Sequence, residues 1–366
     1  MKNIPIMNPG LPSVEEYKVI IDDIFDSKML SNFAKYSKKL EDSVKSSVGF
    51  DNILSVSSGD IALVIGISIF DFPPQSKILV PSFTFSSTVN AVVRCGMQPV
   101  FVDIDPDTFN ICVQDMSEKM DGCVAVMPVH IFGNPSGAQE IYDLAQTNNM
   151  KVIADCAHSL GSKYGSKSVG SCEYADVECF SLSGTKLITS GEGGLISLKS
   201  DSLLDKATHM RGYGFLTDYN CKMIGVNGKI SEMNAGLGYL NMRSLGSFVQ
   251  RRNDLFAVYR DGFGDFESLQ VQKVVDGDIC AFKDICVVFN GGQRDEVEAS
   301  LSYAGVQTKR YFFPVHRMDI YVQMFGTQTL RHTEYLADNS LCLPIFNDME
   351  ISDVSYILDV ISSTVS

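Results

Sequence analysis

The chain has 366 residues, 45% hydrophobic and 20% charged, a globular mixture long enough for one large domain and a smaller one. Its formal net charge of -14 excludes a broadly basic, nucleic-acid-binding surface, although local cations and backbone N–H groups can still hold a phosphorylated small molecule. The ten cysteines are scattered with no C-x-x-C pair, the first ten residues lack the apolar core of a signal peptide, and no apolar stretch is long enough to span a membrane. The expectation is a cytoplasmic protein with reduced packing cysteines and no metal site.

In chain order, Ser13 to Asp26 predicts an amphipathic helix opened by a capping box between Ser13 and Glu16. Asn32 to Ser47 predicts a second helix. N-I-L-S-V-S-S-G-D then reads as a short strand ending in a Gly turn, followed by the apolar helix I-A-L-V-I-G-I-S-I-F. A strand entering a helix through such a turn is an anion site, because the first N–H groups of the helix have no internal partner. K-I-L-V-P-S-F-T-F is a buried strand, S-S-T-V-N-A-V-V-R-C-G a helix, and Q-P-V-F-V-D-I-D a strand closed by the turn D-P-D-T-F. C-V-A-V-M-P-V-H, A-Q-E-I-Y-D-L-A-Q-T and M-K-V-I-A-D follow as strand, helix and strand. Short apolar strands alternating with helices predict a mostly parallel sheet covered on both faces, with ligands at the carboxyl ends of the strands. Asp155, His130 and Phe85 fall at or just after such ends. From about Gly246 a long linking helix leads into mixed strands and helices, which predicts domains over 1–245 and 246–366.

Three features combine. Asp155 ends the apolar strand V-I-A-D, where a carboxylate is costly without a cationic partner. Lys186 follows another apolar strand, in C-F-S-L-S-G-T-K, and precedes a Gly-rich turn. Ser58 and Gly59 form the anion turn. A pyridoxal phosphate enzyme needs these elements: a lysine for the Schiff base, an aspartate for the pyridine nitrogen and a helix N-terminus for the phosphate. Each alone also reads as ordinary structure: a turn cap, a surface lysine, a common Gly turn.

The chain resembles the sugar aminotransferases of the DegT/StrS type. The resemblance is carried in order by V-S-S-G-D-I-A-L, V-P-S-F-T-F-S-S-T, P-V-F-V-D-I-D-P-D-T-F, P-V-H-I-F-G, V-I-A-D-C-A-H-S-L-G, F-S-L-S-G-T-K, E-G-G, G-V-N-G-K-I-S-E-M-N-A, R-Y-F-F-P-V-H and L-C-L-P-I-F. It implies an α/β fold of the aspartate-aminotransferase class (fold type I for pyridoxal phosphate): a large domain with a mostly parallel, seven-stranded-type sheet flanked by helices, and a smaller C-terminal α+β domain. It implies pyridoxal 5'-phosphate as cofactor, Lys186 as its lysine and proton shuttle, and Asp155 on the pyridine nitrogen. His158 would stand near the 3-hydroxyl, and Phe85 would stack on the ring unless it is a core aromatic. Ser58, Gly59 and Asp60 would hold the phosphate, Ser181 would add a hydroxyl, and Asn227 would reach it from the neighbouring subunit of a homodimer. Asp60 departs from the family, which usually has Thr there. A carboxylate beside a phosphate is repulsive, so its side chain must turn away or the phosphate is held less tightly.

For the pyrophosphate of a nucleotide-linked sugar, Lys229 and Arg310 are the candidate cations, with solvated surface charge the alternative, and His316 is a further candidate. The motifs P-V-H-I-F-G-N-P and G-V-N-G-K-I-S-E look closest to enzymes aminating C4 of dTDP-4-keto-6-deoxyglucose with glutamate as donor, for surface-glycan or antibiotic sugars. Amination of C3 in a dTDP-3-keto-6-deoxy sugar and a non-catalytic cofactor-binding regulator are the alternatives. A sugar dehydratase of this fold is disfavoured, because those enzymes replace the lysine with histidine and this chain keeps Lys186.

Overall fold

The computed structural model describes residues 2–365 except 216, 217, 265 and 267. Helix α1 (Val14–Ser27) opens with the predicted box: Glu16 N–H donates to the Ser13 hydroxyl at 3.2 Å and Ser13 N–H to the Glu16 carboxylate at 3.3 Å. Helix α2 (Lys35–Val48) starts three residues later than the sequence suggests. Its cap residue, Ala34, has no side-chain acceptor, and Glu232 supplies one from afar: its carboxylate accepts from the N–H groups of Ala34, Tyr36 and Ser37 at 3.2, 2.5 and 3.3 Å.

The alternation then runs β1 (Ile53–Val56), α3 (Gly59–Ser68), β2 (Lys77–Pro81), α4 (Ser86–Arg94), β3 (Gln98–Val102), α5 (Val113–Lys119), β4 (Cys123–Val126), α6 (Ala138–Thr147) and β5 (Lys151–Asp155). A short hairpin, β6 (Lys163–Tyr164) with β7 (Lys167–Ser168), precedes β8 (Val177–Ser181) and β9 (Gly194–Leu198). Helices α7 (Asp201–Arg211), α8 (Glu232–Met242) and α9 (Leu245–Phe263) follow. The rest of the chain holds β10 (Leu269–Val271), β11 (Ile285–Phe289), α10 (Arg294–Tyr303), α11 (Asp319–Phe325), α12 (Arg331–Asn339), β12 (Ser340–Leu343) and α13 (Ile351–Val365).

Seven strands form one sheet in the order β1-β9-β8-β5-β4-β2-β3. The run from β8 to β3 is parallel, so its carboxyl ends share one edge, while β9 lies antiparallel to both β8 and β1. Successive side chains of β5 enter different cores: Val152 and Ala154 pack with α1, α2, α6 and α8, and Ile153 with α3 and α4. This is why the strands read as continuous apolar runs: a strand covered on both faces has no solvent side. Each fully buried Val, Leu or Ile contributes about 1.5–3 kcal/mol of burial.

A three-stranded antiparallel sheet, β10-β11-β12, packs through Val287 and Phe289 against Leu255 and Tyr259 of α9, Leu301 of α10 and Ile357 of α13. Phe83, Phe132, Phe312 and Cys286 form a further buried cluster, which joins this sheet to the loops leaving β2 and β4. That contact sets the site between the two sheets.

Candidate active site

Asp155 sits at the carboxyl end of β5, opposite Cys179 of the neighbouring parallel strand β8. One carboxylate oxygen accepts from the Thr88 hydroxyl at 2.8 Å and the other from Ala157 N–H at 3.1 Å. Burial pushes its carboxyl above the usual range, against the pull of these two donors and of Lys186. A cation placed against it would restore its charge.

Lys186 follows β8 after a turn closed by its own N–H on the Ser183 carbonyl at 3.0 Å. Its side-chain amine has no hydrogen-bond or ion-pair partner among the described residues. Burial lowers the amine to about 8, with the nearby Lys283 charge adding to the effect and Asp155 and Asp284 opposing it.

Ser58 caps α3, accepting from Ile61 N–H at 3.2 Å. Gly59 begins the helix against β8, where an added Cβ would lie 2.8 Å from the Ser181 Cβ. Only glycine lets this helix end reach the strand end so closely. The Asp60 carboxylate is engaged by the Ser87 hydroxyl at 2.6 Å and by the Arg94 guanidinium, which leaves its N–H for an anion. Phe85 is 61% exposed and walls the cavity, so it is not a core aromatic. The His158 ring packs beside Phe132 and Phe312, at 6.3 and 6.2 Å between centroids, and those two rings also meet each other, at 5.9 Å. Phe132 N–H donates to His158 Nδ1 at 3.2 Å, and burial with the charges of Lys186 and Lys283 holds the ring well below its usual range, hence neutral with its proton on Nε2.

Ser58, Gly59, Asp60, Phe85, Asp155, His158, Ser181 and Lys186 line one cavity of about 280 Å³. The fit to pyridoxal phosphate rests on three observations: an unpartnered lysine amine, a buried carboxylate whose protonation is favoured until a cation meets it, and a helix N-terminus brought close by glycine. A larger cavity of about 1130 Å³ lies among α2, α8 and α9, without a comparable convergent set.

The other expected residues lie elsewhere in this chain. Asn227 is exposed, bridged through its backbone to Gly212. Lys229 lies 4.5 Å from the Tyr213 ring centroid. Arg310 pairs with Glu298 and with Asp295, the latter at 3.1 Å. His316 is buried with both ring nitrogens occupied, by the Ser82 hydroxyl at 2.6 Å and Glu334 at 3.1 Å. Arg310 and His316 therefore do not reach this chain's cavity, and the internal partners of His316 leave no nitrogen for a substrate.

His130, also at a strand end, meets the Tyr164 hydroxyl at 2.7 Å. Burial lowers His130 to about 4, so it is neutral. His130, Cys156 and Glu178 could together face a metal, with their ligand atoms within 4.8 Å of one another. The Glu178 oxygens, however, are already taken by Tyr164 and the N–H groups of Gly170 and Cys172 at 2.9, 2.9 and 2.7 Å, which makes this a satisfied structural network.

Sequence reasoning missed Lys283, Tyr311 and Phe312, which also line the cavity. A signal was there for Lys283: adjacent opposite charges, Lys283 and Asp284, open an otherwise apolar strand, which is costly unless they pair.

The sequence profile of the DegT/DnrJ/EryC1/StrS aminotransferase family matches residues 13–362. The chain is 28% identical to a GDP-perosamine synthase of Escherichia coli O157:H7, covering 99% of this chain and 98% of that protein. It is 29% identical to a dTDP-4-amino-4,6-dideoxy-D-glucose transaminase of Shigella dysenteriae, covering 98% of each. Among solved structures, Helicobacter pylori PseC, an aminotransferase of pseudoaminic acid biosynthesis, superposes with a TM-score of 0.91 over 99% of each chain at 22% identity, a likeness of fold. With the profile spanning nearly its full length, the chain belongs to the DegT/DnrJ/EryC1/StrS aminotransferase family and is a pyridoxal-phosphate-dependent sugar aminotransferase.

Proposed function

We propose that this protein transfers an amino group from glutamate to C4 of dTDP-4-keto-6-deoxyglucose, as a cytoplasmic homodimer, using Lys186 as proton shuttle and Asp155 as partner of the pyridine nitrogen. The observation that carries the chemistry is the meeting of an unpartnered lysine amine and a buried carboxylate in one cavity, from adjacent parallel strands.

When bound, pyridoxal phosphate supplies an electron sink for the charge left at the substrate carbon. Asp155 would keep the ring nitrogen protonated, with its oxygens held in place by Thr88 and Ala157. The N–H groups at Ser58, Gly59 and Asp60 would hold the phosphate, and the Ser181 hydroxyl would add a donor. His158 would offer Nε2–H to the cofactor's 3-hydroxyl, and Phe85, which also lines the cavity, would pack against its ring. The Lys186 Nζ, once free, takes the proton from the substrate carbon and returns it as acid. Glutamate and the keto sugar would use the same site in turn, a ping-pong order, with Lys186 moving the proton in each half.

Asn227 of the partner subunit completes the phosphate site in this reading. Lys229 and Arg310 would serve the sugar's pyrophosphate only across the same interface. The choice of C4 and of dTDP rests on the resemblance of the P-V-H-I-F-G-N-P and G-V-N-G-K-I-S-E segments and on the 29% identity to the Shigella dysenteriae transaminase. The test is product NMR after incubation with glutamate and dTDP-4-keto, dTDP-3-keto and GDP-4-keto 6-deoxy sugars. A C4-aminated dTDP sugar is expected. Turnover confined to the 3-keto or GDP substrate would overturn the assignment, and no turnover at all would favour a non-catalytic role.

A further inference from the structure

Lys283 and Asp284 stand side by side at the entry to β11. Their side chains are 6% and 3% exposed, and the Lys283 amine reaches the two Asp284 oxygens at 2.9 and 3.1 Å. The amine also lies 5.3 Å from the Tyr311 ring centroid. Tyr311 is itself held by Lys309, whose amine donates to its hydroxyl at 3.0 Å. An ion pair buried this deeply adds little to stability compared with apolar residues of the same volume, so its placement calls for another account. The pair opens onto the cavity that contains Lys186: Lys283 is the one other cation among the described residues lining it.

We propose that Lys283 is a positioning residue for the proton shuttle, a fixed second ammonium that holds the freed Lys186 amine in its neutral, proton-accepting form. The proposal rests on the reading of Lys186 as the shuttle. Each element around the cavity contributes a group. Asp155 and His158 come from the end of β5, Cys179 from β8, Glu192 from the turn before β9, Asp60 from α3, Tyr311 from the segment between α10 and α11, and Lys283 with its partner Asp284 from the entry to β11. His158 is neutral, and Asp60 is already paired with Arg94. Asp155 and Asp284 favour a charged Lys186, while burial and the Lys283 charge oppose it and prevail. Asp284 anchors Lys283, and of the two Lys283 is the one that lines the cavity. Without Lys283, the two carboxylates would draw a proton onto Lys186, and the amine would need higher pH to act as a base.

The test uses cofactor-free protein. Trace acetylation followed by peptide mass spectrometry gives the titration midpoint of the Lys186 amine from neutral to alkaline pH. Lys283→Met should raise that midpoint by about one pH unit, the effect of losing a like charge at close range. Lys283→Arg keeps the charge and should leave the midpoint where it is. The acid limb of the half-reaction with glutamate should move by the same amount. Where Lys283→Met leaves Asp284 too costly to bury for the chain to fold, K283M/D284N removes both charges and should still raise the midpoint, by a smaller margin. An unmoved midpoint in the folded variant overturns the role of Lys283 and leaves the shuttle intact. Borohydride labelling of a lysine other than Lys186 in the native holoenzyme would instead overturn the shuttle assignment.

Discussion

The Thr88 hydroxyl donates to the Asp155 carboxylate at 2.8 Å and accepts from the Thr84 hydroxyl at the same distance, so a relay from the start of α4 ends on the group proposed to face the pyridine nitrogen. A hydrogen bond to a charged acceptor contributes about 1.5–3 kcal/mol. Thr88→Val keeps the shape and deletes the donor. Its half-reaction with glutamate should slow about tenfold, as 1.4 kcal/mol is tenfold in rate. A rate equal to wild type, by stopped-flow absorbance, would show that Asp155 does not depend on this relay.

Asp155→Asn separates charge from shape. The variant should lose a factor on the order of 100 or more in transamination, since the ring nitrogen loses the charge that keeps it protonated. The cofactor-free variant should melt no lower than wild type, because burial already disfavours the Asp155 charge in the absence of a cation. Near-normal turnover would refute the role; a collapsed melting temperature would show that Asp155 is structural.

The strands, the Gly59 turn, Asp155 and Lys186 were legible in the sequence because each is local: a strand buried on both faces is a continuous apolar run, and a polar residue at its end stands out. The partners were not legible. Glu232 caps α2 from 196 residues beyond Tyr36, and only the packing of α8 on α2 brings it there. Lys283 enters the cavity because β11 meets the loops leaving β2 and β4. His316 looked like a substrate ligand in P-V-H-R, yet Ser82 and Glu334 claim both its nitrogens, and neither is near it in sequence. Asp60 was readable as a departure from the family, but Ser87 and Arg94, which hold it, come from the next helix.

Lys186 sets a pH dependence for cofactor capture. Its amine is lowered to about 8, so it is mostly protonated below that pH and mostly neutral above it. Only the neutral amine condenses with an aldehyde. Cofactor-free protein mixed with pyridoxal phosphate should gain visible absorbance faster as pH rises, with a midpoint near 8. Borohydride should then fix the cofactor on Lys186, and Lys186→Ala should bind cofactor but not turn over. A midpoint above 10, the range of an exposed lysine, would mean that the cavity does not depress this amine.

Glu232→Ala should destabilise the fold. Its carboxylate satisfies three N–H groups at the start of α2, which has no cap of its own. Loss of a cap together with a buried acceptor costs about 1–3 kcal/mol. The denaturant midpoint should fall with an unchanged slope. Glu232→Gln keeps an acceptor oxygen and should recover part of the loss. A midpoint at the wild-type value would mean that water replaces the carboxylate at α2.

The shared-site dimer is tested at Asn227. Its side chain is exposed and has no hydrogen-bond partner among the described residues, and its own chain's cavity is lined without it. The loop before it exposes Tyr219 at 84% and Ile224 at 94%, apolar surface suited to a second copy of the chain. Asn227→Asp should be strongly impaired, because the new carboxylate would face the phosphate of the partner's cofactor. Inactive Lys186→Ala homodimers, mixed with Asn227→Asp homodimers under conditions that exchange subunits, provide the decisive comparison. If each site takes Lys186 from one chain and Asn227 from the other, a heterodimer has one site with both lesions and one with neither. Activity then rises above both parents, towards a quarter of wild type at equal, random mixing, because half the dimers are mixed and half of their sites are intact. If Asn227 serves its own chain, every site keeps one lesion, and the mixture stays at the average of its parents.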